Sequence, residues 1–541
     1  MKMKNYFSKV CGTIIMAASV LSVQAQTNLG ADCGCPPVSS RPQVLLSTLA
    51  ISGGANDGDL IANNTILDCS KKWVMDKKIY VPSGKNITIN PGTVIMGQDL
   101  GTGNASALIV QRDAKIIASG TETCPIVFTS VNDPMDGSYG VANRGKWGGL
   151  VVLGKATNNL QVGNTYCAGA TGIGFIEGYA SADSRNLYGS ATPDDNDNSG
   201  ILRYISIRHA GDILAVGNEL NGLSLGSVGR GTTIDHIEVV SCDDDAIEFF
   251  GGTVNIKYAS ALFGADDMFD YDLGWSGKAQ FLFGMQADSA TTPTADNGIE
   301  GDADDNKSNA LPRSHPKFYN VTLVGNYTRT SVGDNSGHVG MKLKELTEGE
   351  FYNCIVSNFG RGVDFIKSFA SPRTFESYAN WASGNATSGS LVVKCNSFLN
   401  NAVGPLTVGN SVSNVLSTDN TKFSSDNNVI LTSLTGFDYT SSLNTSTNVY
   451  SNKFNVVPTT NVATTCPTPS NDGFFTNAPY RGAFEAGKKS WMSGWSYFSN
   501  YSSTMQATFG MTPCPTDINQ DGTTNNADFL QLLGQFNQTC N

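Results

Sequence analysis

The chain has 541 residues, a formal net charge of −12 and only 15% charged residues, with 58 glycines. That length exceeds one ordinary globular core but suits a solenoid with small appended modules. The acidic balance makes nucleic acid and anionic lipid poor partners and divalent cations good ones.

The first 25 residues read as a secretory signal. Lys2, Lys4 and Lys9 precede an apolar stretch from Val10 to Val23 that is too short to span a bilayer. Val23-Gln24-Ala25 is a small-residue cleavage site, so the mature chain is expected to begin at Gln26. Removing the three lysines takes the formal charge from −12 to −15. No other segment is long and apolar enough for a membrane span, which predicts a secreted protein, free or held at the cell surface. Eleven cysteines remain after Cys11 is lost, and an exported chain is expected to pair some of them. The odd count leaves at least one free. Cys242 and Cys354 lie in apolar strand patterns and are expected to be buried thiols.

Residues 26–75 read as an N-terminal lead-in and cap. Residues 76–465 read as the body, built from short strands such as Ala107 to Ser119 and Gly145 to Gly154 separated by turns. Tyr204 to Gly211, His236 to Ser241, Ile256 to Phe263, Phe318 to Val324 and Phe351 to Ser357 read as equivalent strands of successive coils. Two polar loops, Asp194 to Asn198 and Asp288 to Leu311, are expected to leave the stack and form a rim. The second carries Glu300, Asp302, Asp304 and Asp305.

The decisive pattern spans Asp244 to Gly274. Asp244, Asp245 and Glu248 recur as Asp266, Asp267 and Asp270, each 22 residues later. A fixed offset of that size is one coil of a solenoid, and coils stack about 4.8 Å apart. The prediction is an all-β, right-handed parallel β-helix with acid stacked over acid, the right hand being adopted as the commoner form. An antiparallel sandwich is the rival, but hairpins do not repeat a motif at constant offset.

Three readings of the ladder stay open. Its acids could cap backbone N–H groups or hold calcium between coils. Asp244, Glu248, Asp270 and Asp272 could bind a ligand. Asp245, Asp266 and Asp267 could be catalytic carboxylates with His338 as a partner. Their order resembles that of the β-helix polygalacturonases, with Asp245, the pair Asp266-Asp267 one coil later, and then His338 between Gly337 and Val339. The spacing to His338 is longer than theirs, and Lys342 and Lys344 are weak stand-ins for their Arg-x-Lys element. A lyase would need a base such as Lys257 or Lys278, which nothing singles out. His209, His236 and His315 read as structural or exposed.

Toward the C-terminus, residues 466–510 hold Phe474, Phe475, Tyr480, Phe484, Trp491, Trp495 and Phe498. They are expected to cap the apolar end of the solenoid, with sugar stacking as the alternative. Residues 511–541 form a last module. Asp517, Asn519, Asp521, Thr523, Asn525 and Asp528 occupy the ligand positions of a twelve-residue calcium loop, with Gly522 at its turn. The loop is followed by one helix and resembles a single dockerin repeat. Dockerins usually carry two, so the expectation is a Ca²⁺-stabilised module closed by Cys514–Cys540.

The phrases GKWGGLVVLG, ELNGLSLGSVGRGT and DDAIEFFGGTVNIKY, and Trp491 to Trp495 in WMSGW, carry a resemblance over about three quarters of the chain. It resembles exported right-handed β-helix proteins of Bacteroidetes-type bacteria. The resemblance implies a secreted or surface protein and no particular activity. The functional expectation is a non-catalytic β-helix that binds extracellular polysaccharide or a surface protein. The alternatives are a polysaccharide hydrolase or lyase, and a self-assembling filament or surface-layer subunit.

Overall fold

One coil shows how the chain is built. Thr233–Val240 is an extended segment bent at His236, which adopts a left-handed φ of 52°. A second corner follows at Ser241, with φ 58°, and Ile247–Phe250 forms the next face. The following coil repeats this with Asn255–Leu262, bent at Tyr258, and Phe269–Asp272. Thr233 pairs with Asn255 and Ile247 with Phe269, both parallel. The 22-residue period of the sequence is therefore the coil itself.

The computed structural model describes residues 29–500, apart from 53–55, 102–103, 180–182, 216–217, 288–294, 305–309, 327–337, 369–373, 385–390, 436–442, 445–448, 451–456 and 470–471. The signal segment, the calcium loop Asp517 to Asp528 and the pair Cys514–Cys540 lie outside the described residues.

Two sheets wrap the coils, one of 17 strands and one of 12. All pairings in the larger are parallel. The smaller departs from this only where Ala50–Ser52 meets Asp57–Leu60. The fold is a parallel β-helix. Period-2 alternation sends Ile234, Ile237, Val239, Ile247 and Phe249 into the core, and Ile256, Ala259, Ala261, Phe269 and Tyr271 beneath them. Each large apolar side chain so buried contributes about 1.5–3 kcal/mol. Interior rings stack across coils, as with Phe249 and Trp275 at 4.0 Å and Phe318 and Phe351 at 5.3 Å.

Coils begin earlier than expected. Gln43–Leu45 and Lys72–Met75 already pair in the large sheet, so 26–75 is not a separate lead-in. Cys33–Cys124 and Cys35–Cys69 pin this start to the first coils. Cys242 and Cys354 are buried and free, as read from the sequence. Cys167 is also free.

The aromatic C-terminal segment lies elsewhere than the sequence suggested. Its described residues descend the flank of the solenoid as a strap rather than sitting over its open end. Cys395–Cys466 fixes its start to a late coil, and Arg481 donates to the carbonyl of Asn396 at 2.6 Å. Farther along, Tyr480 accepts from Asn320 and Trp491 and Trp495 meet His236. Lys489 then pairs with Glu122 of an early coil. Phe484, Met492, Tyr497 and Phe498 close a second apolar cluster over Val240, Leu262, Phe283 and Val324. Aromatic density did mark covered apolar surface. The surface is the row of outward rings at the corners, which a chain running along the axis meets one coil at a time. Inside the last coils, Phe423 of the helix Ser417–Ser425 joins the core beside Tyr378 and Phe398.

Candidate cation-binding cleft

The smaller sheet carries the acid ladder. Its strands Leu223–Gly226, Ile247–Phe250, Phe269–Asp272, Ile299–Gly301, Val339–Leu343 and Arg361–Phe365 pair in parallel register. With Ile247, Phe269 and Ile299 turned inward, the residues after them face outward. One outward column is therefore Ser224, Glu248, Asp270, Glu300, Lys342 and Asp364. Two residues along each strand, Asp272, Asp302 and Lys344 extend the charged surface.

A second column forms at the corner before these strands. The Asp245 carboxylate accepts from the backbone N–H of Asp267 at 3.0 Å. Asp267 accepts in the same way from Asn297, and Asn297 from Val339 at 3.3 Å. These side chains satisfy turn amides that the ladder leaves open. The capping role read from the sequence is thus present in Asp245 and Asp267.

Together the columns line a cleft of about 270 Å³. Asp244, Asp245, Glu248, Asp266, Asp267, Asp270 and Asp272 all line it, as expected of the ladder. Asp296, Glu300, Asp302, Lys342, Lys344, Tyr166 and Glu177 complete it. Tyr166 and Glu177 come from the insertion containing the small antiparallel sheet Cys167–Ala170, Ile173–Phe175 and Leu187–Gly189. His338 does not line the cleft. It sits at the start of its strand in a left-handed turn, φ 61°, with its amide donating to Asp296. Lys257 and Lys278 are on another face, held by the carbonyl of Phe474 and by Asp472.

The loop Asp288 to Leu311 was expected to form a rim. Its residues Ile299–Gly301 are instead a rung of the sheet, with Glu300 beside Asp270. Three residues with one apolar anchor carry little pattern, and pairing with neighbouring strands supplies their order. A signal was present nonetheless. Asp270 with Asp272, Glu300 with Asp302, and Lys342 with Lys344 all repeat a charged i, i+2 spacing, the mark of one outward strand face.

The charges divide the cleft in two. Lys342 and Lys344 both pair with Glu300, and Lys344 lies 3.4 Å from Asp302. Burial alone would raise the Glu300 pKa, but Lys344 and Lys342 outweigh it and hold the value at about 2. Burial likewise works against the Lys342 ammonium, and Glu300 reverses it, so Lys342 keeps its proton. In the other half, Asp245 and Glu248 are pushed well above the ordinary carboxylate range, first by burial and then by neighbouring acids, Asp270 foremost. Asp267 is raised for the same reasons, with Glu300 its strongest repulsive neighbour.

Four overlapping carboxylate triads bring their oxygens within 4.8 Å of one another. They are Asp244-Asp245-Asp266, Asp245-Glu248-Asp270, Asp266-Asp267-Asp296 and Asp267-Asp270-Glu300. The buried acidic clusters could hold a metal. The donor set is all hard oxygen without His or Cys, the chemistry of calcium or magnesium and not of zinc or copper. The chemistry for β-elimination is weaker. Both lysines in the cleft pair with Glu300 and Lys342 keeps its proton, whereas a base must give up its proton first.

No curated protein and no solved structure matches the chain. A family model described as a pectate-lyase like beta helix domain matches residues 58–496. With its parallel stacked sheets and its match over most of its length, the chain belongs to the pectate-lyase-like β-helix family.

Proposed function

We propose that the half of the ladder away from the lysine-paired Glu300 is a calcium site, through which this β-helix binds anionic extracellular polysaccharide or an acidic surface partner without cleaving it. The observation that carries the reading is the set of carboxylate triads, crowded to within 4.8 Å, in a cleft where eleven carboxylates face two lysines. Such crowding is relieved by taking up protons or by a divalent cation. Asp245-Glu248-Asp270 is the favoured triad because it is the most buried of those that do not include Glu300, the carboxylate both lysines hold. Calcium tolerates the irregular oxygen set that stacked coils provide, whereas magnesium demands near-octahedral geometry. A cation held there offers open positions to a ligand carboxylate. Three disulfides support an extracytoplasmic location. Among the described residues, no helix is long and apolar enough to cross a membrane.

The test is binding of the full-length protein to acidic and neutral polysaccharides, in calcium and in chelator, with product analysis alongside. The proposal expects calcium-dependent binding to acidic chains with no products. Absence of any calcium-dependent increment in binding, or an increment that survives Asp245→Asn with Asp270→Asn, contradicts it. One observation favours polysaccharide hydrolysis as a second reading. Proton-holding carboxyls at Asp245 and Glu248 beside Asp270 give the acid and base composition of a glycosidase. Release of reducing ends, lost in Asp267→Asn, would establish it.

A further inference from the structure

The coils that carry the ladder have a second groove on a different face. It measures about 540 Å³ and runs along Thr233 to Asp235 toward Asn255 and Lys257, with Gly473 and Phe474 of the strap at its side. Its charge is opposite to that of the cleft. Arg203, Arg230 and Lys257 line it against the single carboxylate of Asp235, in a chain whose formal charge is −12. Arg203 spends Nε and Nη2 on Asp235, at 2.7–2.9 Å. The Arg230 side chain is 47% exposed and makes only long contacts, 3.3 Å to Asn196 and 3.7 Å to Asp195.

A row of rings edges the groove. Tyr204 stacks on His236 at 4.3 Å and His236 on Tyr258 at 4.6 Å. All three occupy the left-handed region, with φ of 49°, 52° and 57°. That conformation is costly for aromatic residues and cheap for glycine or asparagine. Later coils do use Asn320 and Asn353 at the corresponding corner, and the strap docks on them equally well through Tyr480 and Cys466. Turning the chain at this corner therefore does not require a ring, although Phe281 continues the row and Trp491 and Trp495 of the strap cover part of it. With Asp235 held by Arg203 and His236, the half-exposed guanidinium of Arg230 beside the half-buried Tyr204 and Tyr258 rings supplies the elements that recognise a charged sugar.

We infer that this groove binds an anionic sugar, carboxylated or sulfated, without calcium. The guanidinium of Arg230 takes the anionic group, and the Tyr204 and Tyr258 rings border the pyranose. Calorimetry on the full-length protein in chelator tests it with three probes: unsulfated chondroitin disaccharide, its sulfated form, and neutral lactose. At least one charged disaccharide is expected to bind, with lactose about tenfold weaker or worse. Preference between the two charged forms identifies the anionic group. Arg230→Gln should weaken the charged probe about tenfold without lowering the thermal midpoint, whereas Asp270→Asn in the ladder should leave it unchanged. Absence of charged-probe binding in chelator, equal binding of lactose, or unaltered affinity in Arg230→Gln overturns the inference. Chelator silences the calcium site, so failure here leaves the ladder proposal standing.

Discussion

The acidic cleft and the basic groove share the same coils and differ in how their charge is held. In the cleft, eleven carboxylates face two lysines, and both lysines pair with Glu300 and its neighbours Asp296 and Asp302 at one end. In the groove, three cations face one carboxylate, and the strap forms part of the wall. The difference teaches how a solenoid specifies surfaces. A residue belongs to a column set by its position within the coil, so one coil contributes Asp235 to one face and Glu248 to another without conflict. The cleft is built mainly by the sheet and the corners before its strands, with Tyr166 and Glu177 added from an insertion. The groove depends on a distant segment for its edge.

Disturbing the internal neutralisation of the cleft should have the largest effect. Lys342→Met with Lys344→Met leaves Glu300 buried without a cation, which should cost about 3–5 kcal/mol in denaturant unfolding. Cutting the strap's anchor comes next. Cys395→Ser with Cys466→Ser opens a link across 71 residues, worth about 4 kcal/mol in the chain-entropy picture. Near-UV circular dichroism should report loosening of Trp491 and Trp495. Charged-sugar binding in the groove should fall while calcium binding in the cleft persists, which separates the two surfaces.

The pH response sharpens the contrast within the cleft. Asp245, Glu248 and Asp267 have folded pKa values above their unfolded ones, so their contribution is full below about pH 4 and is lost as pH rises through the folded values. Metal-free protein should therefore lose thermal stability as pH rises above about 4, and saturating calcium should flatten the curve by about 2–3 kcal/mol. Glu300 works in the other sense. Its contribution is present above the ordinary carboxylate range and disappears as pH falls toward about 2. The smallest effect is expected from Asp267→Asn. Asparagine can still accept from the Asn297 amide, as Asn297 does from Val339. The variant should gain on the order of 1 kcal/mol in chelator and lose part of its stabilisation by calcium, both read from thermal melts.

How legible all this was depended on sequence spacing. Glu248 and Asp270 were found because nothing is inserted between their coils, so the 22-residue offset is bare. Glu300 and Lys342 occupy the same column, but the steps to them are 30 and 42 residues, and insertions erase the period. The i, i+2 charged pairs survive the insertions and mark the column where the period does not. Tyr166 and Glu177 reach the cleft from a separate insertion, and no local pattern announces that contact. The aromatic segment revealed itself as a cover, while its path along the flank is decided by corner rings hundreds of residues earlier. His338 was chosen for its neighbours in sequence, yet it is not among the residues that line the cleft. The calcium loop at Asp517 to Asp528 rests on its spacing alone.

Calcium titration of the full-length chain carrying Asp517→Ala and Asp521→Ala, which disables the C-terminal loop, tests the central claim most directly. The account predicts that calorimetry still detects calcium binding in this variant, and that adding Asp245→Asn and Asp270→Asn abolishes it with the fold intact by circular dichroism. If silencing the C-terminal loop alone removes all calcium binding, the ladder is a capping device and not a cation site.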